Sequence, residues 1–337
     1  MAMIVSQVTV VRDGMHNGFT DLQYWQGAYW VGYRKGAGHI SMDAHAVVAV
    51  SHDRCRFTEI ATARVKGDVR DPKLFPVNED CMAMYFPSWT EGAGKIEEGG
   101  LQRLKPIQQY ITFSGNGLDW EAPQPILEKN MWLWRVRKHG GKYYGLIQNL
   151  ADSWSGSIPP HQLDLAVSDD LLTWTTLARV GDGLNESDIY WHEDGEAWIV
   201  SRTAKGEYSV FASAQAPYTA WETTDMSPLV HAPIILEHEG KLFVAGRSLS
   251  SSEGVTDAPF GNGRCSSLSI WQLTRKNLDP VLRIPAFGDC SYPGFIKDPE
   301  GRICLTYYSQ HAYHLGVCTH PFPGHMPNDV YFAELEL

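Results

Sequence analysis

Apolar and polar positions follow one repeated order along this chain: a polar cluster, a short apolar run, a Gly- or Asn-bearing turn, a second apolar run and a second polar cluster. Six copies cover residues 22–34 around Gly27, 72–86 around Asn78-Glu79-Asp80, 132–148 around Gly140-Gly141, 187–202 around Gly195, 232–247 around Gly240 and 292–309 around Gly301. The runs are rich in Tyr, Trp, Val and Ile, which pack well on a pleated surface, and the turns hold residues that tolerate hairpin geometry. Successive turns lie roughly 45 to 62 residues apart, a spacing of the kind propeller blades produce. The pattern predicts an all-β fold, a six-bladed β-propeller that takes up residues 1–337 as a single domain. Alternation at 5–11 and 330–335 predicts strands from both termini that complete one blade and remove a free edge.

The repeat also locates candidate chemistry. Seven residues past the turn glycine stand Arg34, Gln148, Arg202, Arg247 and Tyr308. A single Arg at a strand end is ordinary solvated surface. Three at one offset, on units related by rotation, predict guanidiniums that converge on an anionic ligand. The polar cluster opening each blade is the other candidate position. In Asp68-Val69-Arg70-Asp71, Arg70 and Asp71 read either as a local ion pair or as part of a site, and their place before the first strand, equivalent to that of Asp289 and Tyr292, favours the site. Trp132-Leu133-Trp134-Arg135 reads either as core packing around a stacked guanidinium or as a sugar platform beside an anion clamp. The turns Ser51-His52-Asp53, Ser114-Gly115-Asn116 and Ser168-Asp169-Asp170, each followed by an aromatic residue, are structural: the short polar side chain bonds backbone N–H groups of its own turn while the ring covers the blade. The Ser- and Gly-rich stretch 248–264 predicts a long loop at the edge of a cleft.

Composition narrows the function classes. A formal charge of −11 provides no general basic surface for nucleic acid, which is bound through Lys and Arg on phosphates. A few Arg inside an acidic shell still suit a small anion, because the local field decides within a Debye length. No apolar run approaches the ~20 residues of a membrane span. The six Cys lack CxxC spacing and clustering, which argues against a zinc site or a disulfide scaffold, and Cys304 reads as a small buried hydrophobe. The His residues show no HExxH-type ligand spacing, so neither metal nor cofactor is expected. Residues 1–11 lack the basic start and apolar core of a signal peptide, and a cytoplasmic location is expected.

Taken together, His16-Asn17-Gly18-Phe19-Thr20-Asp21, Val69-Arg70-Asp71-Pro72-Lys73, Trp132-Leu133-Trp134-Arg135-Val136, Asn185-Glu186-Ser187-Asp188, Asp289-Cys290-Ser291-Tyr292-Pro293-Gly294 and Tyr307-Tyr308-Ser309 resemble the sialidase (neuraminidase) superfamily over nearly the whole chain, especially a bacterial sialidase-like branch. The resemblance implies a six-bladed propeller in which Tyr292 is the nucleophile, Glu186 its base, and Arg202 and Arg247 two members of an Arg triad gripping a substrate carboxylate. Arg34 is similar to a further site Arg near the acid/base loop. Sialidases with a Tyr nucleophile are exceptions to the paired-carboxylate rule of glycoside hydrolysis, and a phenol of pKa about 10 needs such a base to attack at neutral pH. Two departures stand out. Phe19-Thr20-Asp21-Leu22 replaces a Phe-Arg-Ile-Pro-like opening, so the third guanidinium would have to come from Arg70 or Arg135. Five residues beyond Arg34, where the family's acid/base Asp would fall, stands His39.

These readings predict an exo-acting, retaining glycoside hydrolase for a terminal acidic sugar, a sialic acid or another keto-sugar acid. Acid/base candidates are Asp71, Asp289 and His39; Arg34, Arg70, Arg135, Arg202, Arg247, Asp21, Trp134 and Tyr308 are the expected substrate contacts. One alternative is a propeller glycosidase using two carboxylates, such as Asp71 and Glu186, on a neutral sugar. Another is a non-catalytic carbohydrate-binding propeller, since fold does not fix function.

Overall fold

The computed structural model describes residues 2–98, 101–150, 161–204, 208–250, 265–313 and 326–337, and among these there is no helix. Six antiparallel sheets form the blades of a propeller, as the hairpin repeat predicts. Blade one is His16–Trp25, Ala28–Gly36, His45–Ser51 and Thr58–Ala63, from the axis outward. Blade three (Met131–His139, Lys142–Asn149, Gln162–Ser168, Thr175–Asp182), blade four (Leu184–Trp191, Ala197–Thr203, Ser209–Ala214, Glu222–Met226) and blade five (Val230–His238, Lys241–Ser250, Cys265–Leu273, Leu278–Ile284) repeat it. In blade two the inner strand is split into Asp68–Val69 and Lys73–Asn78, both paired with Cys81–Trp89. Blade six runs Ser291–Lys297, Ile303–Ser309 and Asp329–Glu336, and its outermost strand is Met3–Val11 from the other end of the chain. From residue 251 onward the stretch predicted as a cleft loop lies outside the described residues.

The apolar core is divided into wedges between neighbouring blades. One wedge packs Phe19, Val31 and Tyr33 of blade one on Cys304, Tyr308 and Phe332 of blade six. Another sets Leu146, Leu163 and Leu165 of blade three against Ile189, Ile199 and Ala212 of blade four. The axis is lined by the inner strands, where polar side chains collect. Blades one and six come closest: a Cβ on Gly294 would lie 2.2 Å from the Leu22 nitrogen, so only glycine lets these inner strands meet.

The Ser-x-Asp/Asn turns behave as their sequence implies. Ser51 Oγ accepts the Arg54 N–H, and Asp53 Oδ1 accepts those of Cys55 and Arg56. Ser114 with Asn116 and Ser168 with Asp170 repeat this, and Trp120 and Trp174 donate their indole N–H to the turn carbonyls of Gly117 and Leu171. A fourth copy has no such signature in its sequence. Trp221 donates to the Tyr218 carbonyl at 3.1 Å, and Tyr218 has the same left-handed backbone as Arg54, Gly117 and Leu171.

Candidate active site

Every inner strand carries an irregularity at the same end. One extra residue falls between Gly18 and Asp21, Leu133 and Arg135, Leu184 and Ser187, His231 and Ile234, and Ser291 and Gly294; blade two is broken between Val69 and Lys73. Bulges bend a strand and re-aim its side chains. Here they deliver Phe19-Thr20, Arg70-Asp71, Trp134, Asn185-Glu186, Ala232 and Tyr292 to one end of the axis. Phe19, Asp71, Ala232 and Tyr292 have φ of 58°, 43°, 49° and 30°, left-handed conformations that cost a non-glycine residue of order 1 kcal/mol or more.

Tyr292 and Glu186 form the centre. The Tyr292 hydroxyl donates to Glu186 Oε1 at 2.5 Å, Arg202 Nη1 donates to the same oxygen at 2.6 Å, and the Ala232 N–H reaches Oε2 at 2.8 Å. Arg247 lies over the Tyr292 ring, 5.5 Å from its centroid, and donates to His231 Nδ1 and the Cys290 carbonyl. Burial, then the Glu186 charge, pushes the Tyr292 phenol far above its usual range. The Tyr292 phenol is therefore protonated at rest, with its proton directed at the Glu186 carboxylate.

Asp289 organises the neighbouring cluster. It is fully buried, accepts from His39 Nδ1 at 2.6 Å, His16 Nε2 at 2.9 Å and the Tyr308 hydroxyl at 3.2 Å, and lies 3.8 Å from Arg247. Burial alone would raise the Asp289 pKa, but His39 and His16 outweigh it and hold the carboxyl well below the usual range. Burial lowers His39 below the ordinary histidine value, with Asp289 pulling the other way. Asp289 is thus a fixed anion that orients an imidazole. The Phe19 ring joins the two clusters, 5.4 Å from His39 and 5.3 Å from Tyr292.

Three groups, His16, His39 and Asp289, have ligand atoms close enough to surround a metal ion. The Arg34 guanidinium also lies 3.5 Å from His16 Nδ1 and that of Arg247 beside Asp289, so cations already hold the approaches and the set does not fit a metal.

Asp71 is 2% exposed, and its Oδ1 accepts no hydrogen bond among the described residues. Burial, partly offset by Lys73 and Arg70, pushes its carboxyl up to about 7. Arg70 donates to Asp68 and the His39 carbonyl and lies over the Phe19 ring at 4.9 Å, on the site side.

Other residues expected at the ligand are placed elsewhere. Arg34 is fully buried and donates to the Val69 and Gly38 carbonyls and Asp68, so it ties blade one to blade two. Arg135 bridges Asp21 at 3.4 Å and Asp188 at 3.9 Å, and Asp21 also accepts the Leu74 N–H. These are struts between inner strands. Trp134 is buried, edge-on to the Tyr292 ring at 5.5 Å, and packs instead of forming an open platform. Tyr308 is fully buried and acts on Asp289. Sequence reasoning missed His231, Phe19, Thr20 and His16 as members of the site. Their signal was position: each belongs to a polar opening of a blade.

No protein-family profile matches the sequence, and no curated protein does. Solved structures do match. A protein of unknown function from Dyadobacter fermentans superposes with a TM-score of 0.75 at 16% identity, over 100% of this chain and 99% of that one. Trypanosoma rangeli sialidase in complex with the inhibitor DANA gives 0.63 at 12% identity over 99% of this chain, which spans 59% of that sialidase. A β-xylosidase/α-arabinofuranosidase from a compost microbial metagenome gives 0.51 at 13% identity, over 83% of this chain and 98% of that one. At these identities the likeness is one of architecture, and the chain is a six-bladed propeller of sialidase-like fold.

Proposed function

We propose that the protein is a retaining exo-glycosidase for a terminal sugar bearing a carboxylate, with Tyr292 as nucleophile. The observation that carries this reading is the shared carboxylate: Tyr292 and Arg202 meet one oxygen of Glu186 while Arg247 covers the phenol ring. A neutral oxygen nucleophile beside two guanidiniums suits a substrate with a negative charge next to the anomeric carbon, where an anionic nucleophile would be repelled. In the first step the Tyr292 oxygen bonds to the anomeric carbon, its proton passes to Glu186, and the glycosidic C–O bond breaks. The departing oxygen takes a proton from the His39 imidazolium, which Asp289 orients. In the second step water attacks the same carbon, His39 takes the water proton, and the phenol leaves with the proton stored on Glu186. His39 is preferred to Asp289 because its side chain is 25% exposed whereas Asp289 is sealed and anionic.

A second reading has its own support. Asp71, protonated near neutrality, and Glu186 could act as the acid and second carboxylate of a glycosidase for neutral sugars, and the compost β-xylosidase likeness is compatible with it. Incubation with 2,3-difluorosialic acid and with 2-fluoro neutral glycosides, followed by peptide mass mapping, separates the two. Label on Tyr292, together with a Tyr292→Phe variant that binds ligand but does not turn it over, supports the first reading. Label on a carboxylate refutes it. Glycan binding with no sugar released from a broad panel would favour a lectin instead.

A further inference from the structure

His231 opens blade five immediately before its bulge and is 5% exposed. Its Nδ1 receives two N–H groups of Arg247, from Nη2 at 2.8 Å and Nε at 3.3 Å. A guanidinium offers only donors, so Nδ1 is the acceptor of the ring and the remaining proton sits on Nε2. A second proton is resisted by burial and then by the charges of Arg202 and Arg247, which hold His231 well below the usual histidine range. The imidazole is therefore a neutral donor with a fixed tautomer. Its chain neighbour Ala232 donates to Glu186, whose other oxygen holds Arg202 and Tyr292. His231 is thus pinned on one side to Arg247 and, through Ala232, to the carboxylate that Arg202 grips. Among the described residues, Nε2 makes no hydrogen bond.

Blade one does not supply a third cation. Thr20 spends its hydroxyl on the Tyr292 carbonyl at 2.7 Å, Arg34 and, in blade three, Arg135 are engaged as struts, and Arg70 of blade two is held by Asp68 and the His39 carbonyl. We infer that His231 is a specificity-determining residue whose Nε2–H donates to the acid group of the bound sugar beside Arg202 and Arg247. The inference rests on the acidic-sugar reading above. Because Glu186 already offsets one of the two guanidiniums, and the third donor is neutral, the site matches a monoanionic carboxylate better than a dianionic phosphate ester.

The test uses the full chain and two free keto-sugar acids, N-acetylneuraminic acid and 3-deoxy-D-manno-octulosonic acid, each with its methyl ester. Nitrogen-15 NMR of labelled histidines should show His231 as the neutral Nε2–H tautomer, with Nε2 shifting on addition of an acid and not of its ester. His231→Leu should weaken acid binding about 10- to 100-fold, the range for one hydrogen bond to a charged group. His231→Gln, which can both accept from Arg247 and donate, should restore most of the loss; the esters should bind all three proteins alike. Acid binding that leaves Nε2 unmoved, or a Leu variant that binds as tightly as wild type, overturns the inference while the acidic-sugar reading stands. A wild-type protein that binds neither acid, or binds acid and ester equally, overturns that reading and the inference with it.

Discussion

Replacing Asp71 by Asn should make the protein more stable at high pH than the wild type, relative to their difference at low pH. The carboxyl is sealed at the blade-two break, and burial pushes its pKa up to about 7. In the unfolded chain it titrates near ~3.9. Between those values the folded protein holds a proton that the unfolded chain has released, so wild-type stability falls as pH rises through this window. The slope is about 1.4 kcal/mol per pH unit, and over roughly three units the total approaches about 4 kcal/mol. Asparagine has nearly the same shape and does not titrate, so the variant escapes this loss. Between pH 4.5 and pH 8 about 2.4 units of this window are crossed, or about 3 kcal/mol, and with an unfolding entropy of about 2 cal/mol/K per residue a chain of this length converts that to about 5 °C in Tm. Thermal melts of both proteins by circular dichroism at pH 4.5 and pH 8 suffice, because contributions of His39, Asp289 and other titrating groups cancel in the comparison. A Tm difference that does not change with pH would refute the reasoning, since it would mean that Lys73 and Arg70 keep Asp71 ionised throughout. The same variant bears on function: a Tyr292 enzyme should keep much of its turnover, whereas an enzyme using Asp71 as its acid should lose it.

Gly294→Ala should destabilise by about 3 kcal/mol, read in urea unfolding, because the new methyl meets Leu22 and Asp21 backbone that cannot move aside without parting blades one and six. His39→Ala should slow release of alkyl leaving groups about 10²- to 10⁴-fold and nitrophenyl leaving groups much less, since only the former need protonation. In the wild type, kcat/KM on alkyl glycosides should fall as pH rises through a His39 pKa below the ordinary histidine value; a profile flat from pH 4 to 7 would remove His39 from the proton path. Arg135→Met should cost about 3 kcal/mol by taking the guanidinium from buried Asp21, while Asp188 keeps Arg137, yet leave sugar-acid affinity in the folded protein within a few-fold, which titration calorimetry would check.

The blades were legible because their signals are local. A Gly or Asn-Glu-Asp turn between two β-branched, aromatic runs states a hairpin within about fifteen residues, and six such statements imply closure. The offset from the turn glycine was also sound as geometry: Arg34, Gln148, Arg202, Arg247 and Tyr308 all lie at the same end of the second strand of their blades. The same offset could not say which Arg faces a ligand. Arg34 is captured by Asp68 of the next blade, whereas Arg202 meets Glu186 of its own, and neither partner is implied by hairpin spacing. His39 and Asp289, 250 residues apart, become a pair only through ring closure. The bulges were half visible: Pro72, Pro233 and Pro293 each follow a left-handed residue, and a proline inside a would-be inner strand marks a break in the ladder.

Separation of core from site follows from the same device. Apolar wedges between blades hold the ring together without reference to the axis, so an inner strand can spend one residue on a bulge while its flanking pairs keep their register. The axis itself is crossed by charged struts, Arg135 with Asp21 and Asp188, and Arg137 with Asp188 at 3.0 Å, because inner strands that converge on a narrow channel leave backbone N–H groups such as those of Leu74 and Ile235 facing inward and in need of acceptors. The guanidiniums on this axis differ in their partners according to depth. Those at the bulged end, Arg202 and Arg247, meet the residues the bulges present, and those further in complete the scaffold. Thr20 in blade one fits that division, since its hydroxyl fastens the Tyr292 backbone at the bulged end.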